Sequence, residues 1–369
     1  MKKFNLLFVL LLILNFWRPL YAQFGSASMV KSGLEDANKL FGAYVTPMLT
    51  GWASGLNNGW FNTAKSLGTG GFALTLSGGG FFVPPEAQTY NLLALNLKNT
   101  RPSSVDATIA PTLFGTTNEG PKMDVMYRTG PPLSKDFPVG SFNLPGGYGY
   151  YFFPTIPNIQ LSLGIIKSTE LMLRFIPGIN LKGIQSNVFG FGIKHDIIQW
   201  IPVVKDWKFN VSFVAAYSNS NAEYLIPEEY RLYPDDYTYP NAREKSFYDN
   251  QKFGYESQAS LIGFVVSKDI KFVTPYAGLS YNKTFIRFLV LGNYPMPVYD
   301  PTTSVLTPTI QNVADPIALE NKDNAWRANL GLRVKLWYIT LHGEYTLARY
   351  NTVTAGVGFN LQSLYPFVR

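Results

Sequence analysis

Alternation of apolar and polar residues, sustained over whole segments, is the feature that most constrains this chain. Period two is the signature of a strand whose faces meet different surroundings. In 71–83 the even positions are Phe72, Leu74, Leu76, Gly78, Gly80 and Phe82, and the odd ones begin Ala73, Thr75, Ser77 and Gly79. In 325–336 the even set is Trp326, Ala328, Leu330, Leu332, Val334 and Leu336, against Arg327, Asn329, Gly331, Arg333 and Lys335. The phase then flips: Ile339, Leu341, Gly343, Tyr345 and Leu347 are apolar, and Thr340, His342, Glu344 and Thr346 are polar. A one-residue slip reverses both faces, so the chain turns near Trp337-Tyr338. A third strand follows, with Val353, Ala355, Val357, Phe359 and Leu361 on the apolar face.

Similar runs occupy 105–114, 158–166, 169–176, 187–195, 208–219, 256–266, 272–281 and 284–291. Their length suits tilted membrane strands of about 9–11 residues. The polar faces hold mostly Thr, Ser, Asn and Gly, and charges gather between the runs. A soluble exported sandwich would charge its outer face freely. The expected fold is therefore all-β, an antiparallel transmembrane barrel of about 12–14 strands, allowing for weak strands near 89–97 and 122–128. Composition agrees: 46% of residues are hydrophobic, the aromatic and charged shares are both 15%, there is no Cys, and mean hydropathy is +0.01. Those values exclude disorder, a disulfide scaffold and a bundle of membrane helices.

Residues 1–22 read as a signal peptide: Lys2 and Lys3, an apolar run from Leu6 to Leu14, and a cleavage site after Ala22. The formal charge of +7 falls to +4 without Lys2, Lys3 and Arg18, and no basic cluster marks nucleic-acid binding. Residues 23–66 do not alternate and read as a part-helical plug, leaving 67–369 for the barrel. Ser32 and Glu35 have capping-box spacing, Leu34, Ala37, Phe41 and Tyr44 repeat at helical intervals, and Pro47 is expected to end the helix. The stretches 116–148, 222–254 and 293–324 are the candidate extracellular loops.

The segment 55–74 (GLNNGWFNTAKSLGTGGFAL) holds Asn62-Thr63-Ala64 before a strand opening on Gly. It resembles the plug of the long-chain fatty-acid transporter (FadL-like) barrels, which typically carry Asn-Pro-Ala there; Thr63 replaces the proline. Lys194 to Trp200 with Ile201-Pro202 also resembles a signature of an uncharacterised family of Gram-negative outer-membrane barrels. These resemblances imply an outer-membrane location, outer-membrane lipid as a partner and, by the first, a hydrophobic small-molecule substrate.

Candidate site residues face the expected lumen. Arg327, Arg333 and Lys335 form a basic row able to steer anionic solutes, or to pair with Glu344 or Glu170 on other strands. Glu170 and Arg174 share a face, as do His342 and Glu344. His195-Asp196 is expected to open a short interfacial helix. No metal or cofactor is expected, and no serine sits in a nucleophile motif, so an enzyme is not expected. The Tyr-rich stretch 222–254 could bind a sugar or protein, and Glu228, Glu229, Asp235 and Asp236 lack EF-hand spacing for Ca²⁺. The expected function is a channel for small hydrophobic or amphipathic molecules, gated by the plug and predicting an apolar pocket beside it. The alternatives are a non-transporting surface barrel, with a filled lumen and ordered loops, or a lipid-modifying enzyme with a Ser–His pair.

Overall fold

A computed structural model describes residues 29, 32–128, 136–155, 157–181, 184–201, 209–234, 242–299 and 308–361. The signal peptide 1–22, the aromatic residues near the end of the sequence (Tyr365, Phe367), and Asp235, Asp236, Tyr237 and Tyr239 lie outside them.

Ten antiparallel strands close on themselves. They are β1 (Phe72–Phe82), β2 (Asn158–Ile165), β3 (Thr169–Leu181), β4 (Ile184–Asp196), β5 (Asn210–Leu225), β6 (Lys252–Ser267), β7 (Val273–Leu291), β8 (Ile317–Leu336), β9 (Ile339–Leu347) and β10 (Thr352–Leu361). Each pairs with its neighbour in sequence, and β1 pairs with β10 from Phe72↔Leu361 to Phe81↔Thr352. Closure leaves no unpaired edge, as a strand wall in lipid requires.

Ten strands replace the expected 12–14, for two reasons. First, several alternating runs form small sheets apart from the wall: Thr89–Asn91 with Ile109–Pro111, and Lys122–Arg128 with Asp136–Asn143 and Thr100–Pro102. Secondly, 272–281 and 284–291 belong to one strand, β7. Its inward residues change from Asn282 and Thr284 to Ile286, Phe288 and Val290, so one continuous face switches chemistry without a turn. The barrel is correspondingly narrower than the expected fatty-acid-transporter type, because diameter grows with strand number.

The two faces fall as the alternation dictates. Leu74, Leu161, Leu173, Phe191, Phe264, Leu279, Leu330, Leu341 and Phe359 are exposed on the outside, and their neighbours Thr75, Gln160, Arg174, Lys194, Ser280, Asn329, His342 and Asn360 are buried inside. Trp326 on β8 and Trp337 in the turn after it bracket the apolar row and are 66% and 92% exposed. Their eleven-residue separation, at about 3.3 Å per residue and a tilt of about 40°, spans roughly 28 Å, close to a barrel's apolar band of about 25 Å. β7 and β8 continue past that band, where Glu256, Arg287 and Glu320 form outward ion pairs at 3.3–3.4 Å.

Short connections (166–168, 268–272 and 337–338) share one end, with 197–209. The long connections, 83–157, 226–251 and 292–316, share the other. These boundaries correct the sequence reading, because 222–225, 252–254 and 317–324 are strand.

The N-terminal helix α1 (Leu34–Leu56) packs at the long-loop end. Its N-cap is Gly33, not Ser32, whose hydroxyl donates instead to the Met29 carbonyl at 2.5 Å. The Asp36 carboxylate anchors the first turn by accepting from the backbone N–H groups of Lys98 and Asn99 and from the Thr100 hydroxyl, at 2.7–2.9 Å. Pro47 lies inside the helix and does not end it. Burial outweighs the lost hydrogen bond: Leu40, Phe41, Tyr44, Met48, Leu49 and Ala53 pack with Phe81, Phe114, Phe153, Ile286 and Phe288 in one core. The carbonyl of Tyr44, near the proline, accepts from the N–H of Leu113 at 3.0 Å. The long connections thus form a folded cap that shares its core with α1 and the ends of the wall strands. No helix of the described residues is long and apolar enough to cross a membrane.

Candidate functional site

Beyond α1 the chain runs as residues 57–71 to the start of β1, and its contacts go to inward-facing side chains around the barrel. Asn57 Nδ2 donates to the Ser260 carbonyl on β6 (2.9 Å), and Asn58 Nδ2 to Thr352 Oγ1 on β10 (2.8 Å). The Arg174 guanidinium of β3 donates to the Asn58 carbonyl (2.8 Å) and to Gln160 Oε1 of β2 (3.0 Å), and lies 3.7 Å from the centroid of the Trp60 ring. Arg327 of β8 bonds the Asn58 side-chain oxygen. Trp60, Phe61 and Ala64 also pack with Met172, Val214, Leu261, Val265 and Tyr276.

The Asn62-Thr63-Ala64 motif lies at the next level. Asn62 is half-buried. Thr63 Oγ1 is 3.2 Å from Ser267 Oγ and accepts the Lys65 N–H at 3.1 Å, neither of which a proline would allow. The Ala64 N–H donates to Ser267 Oγ (2.9 Å), and its carbonyl accepts from Ser212 Oγ (2.5 Å). Below it, Lys194 and Glu170 form a buried ion pair at 2.9 Å. Glu170 Oε2 also accepts the Leu67 N–H at 3.2 Å, and Lys194 Nζ donates to the carbonyls of Thr63 and Lys65 at 3.4 and 3.3 Å. Lys194 escaped the sequence reading, although its even position between Gly192 and Asp196 on the 187–195 run could have revealed it.

The expected pairing of the basic row with Glu344 or Glu170 does not form. Glu344 instead accepts from Asn329 Nδ2 (2.7 Å) and from the Thr346 hydroxyl (3.2 Å). Among the described residues no carboxylate lies within ion-pair distance of Arg174, Arg327 or Arg333. The charge of Glu344 nonetheless acts on Arg174 and Arg327. His342 sits in register with Arg333, buried, with neither ring nitrogen hydrogen-bonded. Lys335, half-buried, continues the row toward the short-turn end. Residues of the N-terminal segment take part of the place of those partners: Arg174 and Arg327 both donate to Asn58.

His195 stands at the short-turn rim. Nδ1 is 2.8 Å from Thr169 Oγ1 and Nε2 accepts from the Trp200 indole at 2.7 Å, which leaves the neutral ring's proton on Nδ1. The expected short helix is a single 3₁₀ turn, Ile198–Trp200, whose first N–H is capped by Asp196 Oδ1 at 2.9 Å. No serine hydroxyl bonds either imidazole among the described residues.

Two small pockets border the N-terminal segment among the described residues. One of about 20 Å³ is lined by Trp52, Leu56, Asn158, Val188, Ser218 and Tyr255, among others. Another of about 30 Å³ has a polar lining that includes Thr63, Gln160, Glu170, Lys194 and Arg333. Neither is the apolar pocket expected of a channel for hydrophobic solutes. On the cap, Tyr148 and Tyr150 stack with centroids 5.8 Å apart, Tyr151 is 70% exposed, and Glu228 is held by Lys245 at 2.6 Å.

A family described as of unknown function (DUF6588) matches residues 1–361. The chain belongs to that family. No curated protein matches it. Solved structures similar in fold include the attachment invasion locus protein Ail of Yersinia pestis (7% identity, 79% of this chain and 99% of that one, TM-score 0.25). The translocator domain of the autotransporter NalP from Neisseria meningitidis (11%, 84% and 91%, 0.27) and the outer-membrane protease OmpT of Escherichia coli (10%, 80% and 95%, 0.26) are further examples. Such low identities and TM-scores carry no function to this family member.

Proposed function

We propose that this family member is an outer-membrane barrel held shut by its N-terminal segment, acting at the cell surface through its folded cap. The observation that carries the reading is the shared core. Helix α1, the ends of β1, β7 and β8 and the 83–157 connection bury Phe41, Phe81, Phe114, Phe153 and Phe288 together. A cap so anchored presents a fixed surface, and exposed Tyr151 and Tyr230 offer a glycan or protein flat rings with a hydroxyl at the edge. The apolar outer face between Trp326 and Trp337 supports the membrane assignment. The long connections, which barrels carry on the extracellular side, support the orientation.

A second reading is favoured by one observation. Residues 57–67 are held largely by polar contacts, and buried nitrogens of Arg174, Arg327 and Arg333 go unpaired, so water could replace those contacts if the segment shifted. The barrel would then be a gated channel for small amphipathic molecules. Planar-bilayer conductance separates the two. The surface reading expects no current from the intact protein or from Asn58→Ala, and glycan-array binding that Tyr151→Ala weakens. Current from Asn58→Ala would establish the channel instead.

A further inference from the structure

Among the described residues four cations are buried on the inner face of the barrel, Arg174, Lys194, Arg327 and Arg333, against two carboxylates, Glu170 and Glu344. An arginine cannot shed its charge, and an unpaired buried cation costs several kcal/mol. Arg174 and Arg327 are answered in part by Asn58, Gln160, the Trp60 ring and the charge of Glu344. Arg333 has no such company. It is 8% exposed, its Nε has no hydrogen-bond partner, and it lines the pocket of about 30 Å³ between residues 60–67 and the wall.

The other charges at that pocket are already matched. Glu170 is held by Lys194 at 2.9 Å, and Lys65 by Asp269 at 3.3 Å. Asp269 and Glu170 act on Arg333 only at longer range. One positive charge is left over. Thr63, Thr340 and Asn360 add neutral polar groups to the lining. Lys65, also in the lining, is half-exposed at the short-turn end, so the pocket has a way out there.

We propose that this pocket binds one small carboxylate, its oxygens facing the Arg333 guanidinium. Size selects the class: the volume is that of roughly two waters, which the two oxygens of a carboxylate replace. Guanidinium and carboxylate match in plane and in charge. The carboxylate is either a free small acid or the head group of an amphiphile whose tail leaves past Lys65. The inference stands apart from the surface reading, because binding is measured on the closed protein and needs neither flux nor a partner.

The test is calorimetric titration of the full chain in neutral detergent with sodium acetate and with sodium octanoate, using sodium chloride as the reference. Saturable binding at one site per chain is expected, at least ten-fold weaker in Arg333→Gln and restored in part by Arg333→Lys. Equal affinities identify a free acid, and tighter octanoate binding identifies an amphiphile. Ala73→Leu fills the pocket while leaving every charge in place, and is expected to abolish binding. It keeps the test decisive if Arg333→Gln misfolds. Absence of saturable binding by either acid, or binding that survives Ala73→Leu unchanged, overturns the proposal.

Discussion

Replacing Glu170 by Gln removes one charge of the most enclosed ion pair among the described residues and leaves the other in place. The side chains of Lys194 and Glu170 are 4% and 7% exposed and 2.9 Å apart. Breaking such a pair from one side costs about 3–5 kcal/mol, because the remaining charge stays buried without a partner. The lower figure applies here, since Lys194 keeps its bonds to the carbonyls of Thr63 and Lys65. Because both partners also bond residues 63–67, the loss falls on the docking of that segment more than on the wall. Hydrogen exchange at the Leu67 amide, which donates to Glu170 Oε2, reads it directly. About 3 kcal/mol corresponds to roughly a hundred-fold faster exchange. The double variant Glu170→Gln, Lys194→Met buries no net charge and should recover about half of the loss. A single variant exchanging like the wild type, or a double variant worse than either single one, would refute the reasoning.

Three further outcomes follow from the same geometry. Leu330→Arg, on the lipid face between Trp326 and Trp337, should destabilise the protein in bilayers by about 2–4 kcal/mol, measured by urea unfolding in vesicles. Gly51→Ala should cost about 1–3 kcal/mol in the same assay, because its Cβ would come within 2.1 Å of the Phe81 ring, which Phe114, Phe153 and Tyr350 wedge in place. Asp269, in the turn between β6 and β7, is buried enough to raise its pKa, but the Thr274 hydroxyl and the Lys65 ammonium outweigh that and hold it below the ordinary carboxylate value. A depressed folded pKa contributes stability above the unfolded value of about 3.9 and loses it as pH falls further. Amide protection at residues 63–67 should therefore hold from pH 7 to about 4 and weaken below.

The wall was legible because each face of a strand reports its surroundings. Lipid outside and a polar interior impose alternation on 72–82, 326–336, 339–347 and 352–361, and those strands lie where the pattern put them. The same logic explains the miscount. Alternation says that two faces differ, not that lipid lies on one of them, so the strands of the cap read like the wall. It also split β7, where the inner face meets polar groups near Asn282 and aromatic ones near Phe288. Helix α1 overran Pro47 because the apolar groups it buries come from segments as distant as Phe288. The pairing of Glu170 with Lys194 was hidden for a related reason: partners inside a barrel are set by strand order and register, which periodicity along one strand does not carry.

The overshoot of β7 and β8 has a consequence for the order of assembly. Ile286, Phe288, Val290 and Ile317 stand beyond the apolar band and supply one wall of the core that holds α1. That wall exists only once these strands are paired. The helix is made early in translation, yet its complete binding surface is finished late, after most of the barrel has been synthesised. The native seat of α1 is therefore completed only after the wall: its apolar face, made first, waits for Ile286, Phe288, Val290 and Ile317 before it can be buried.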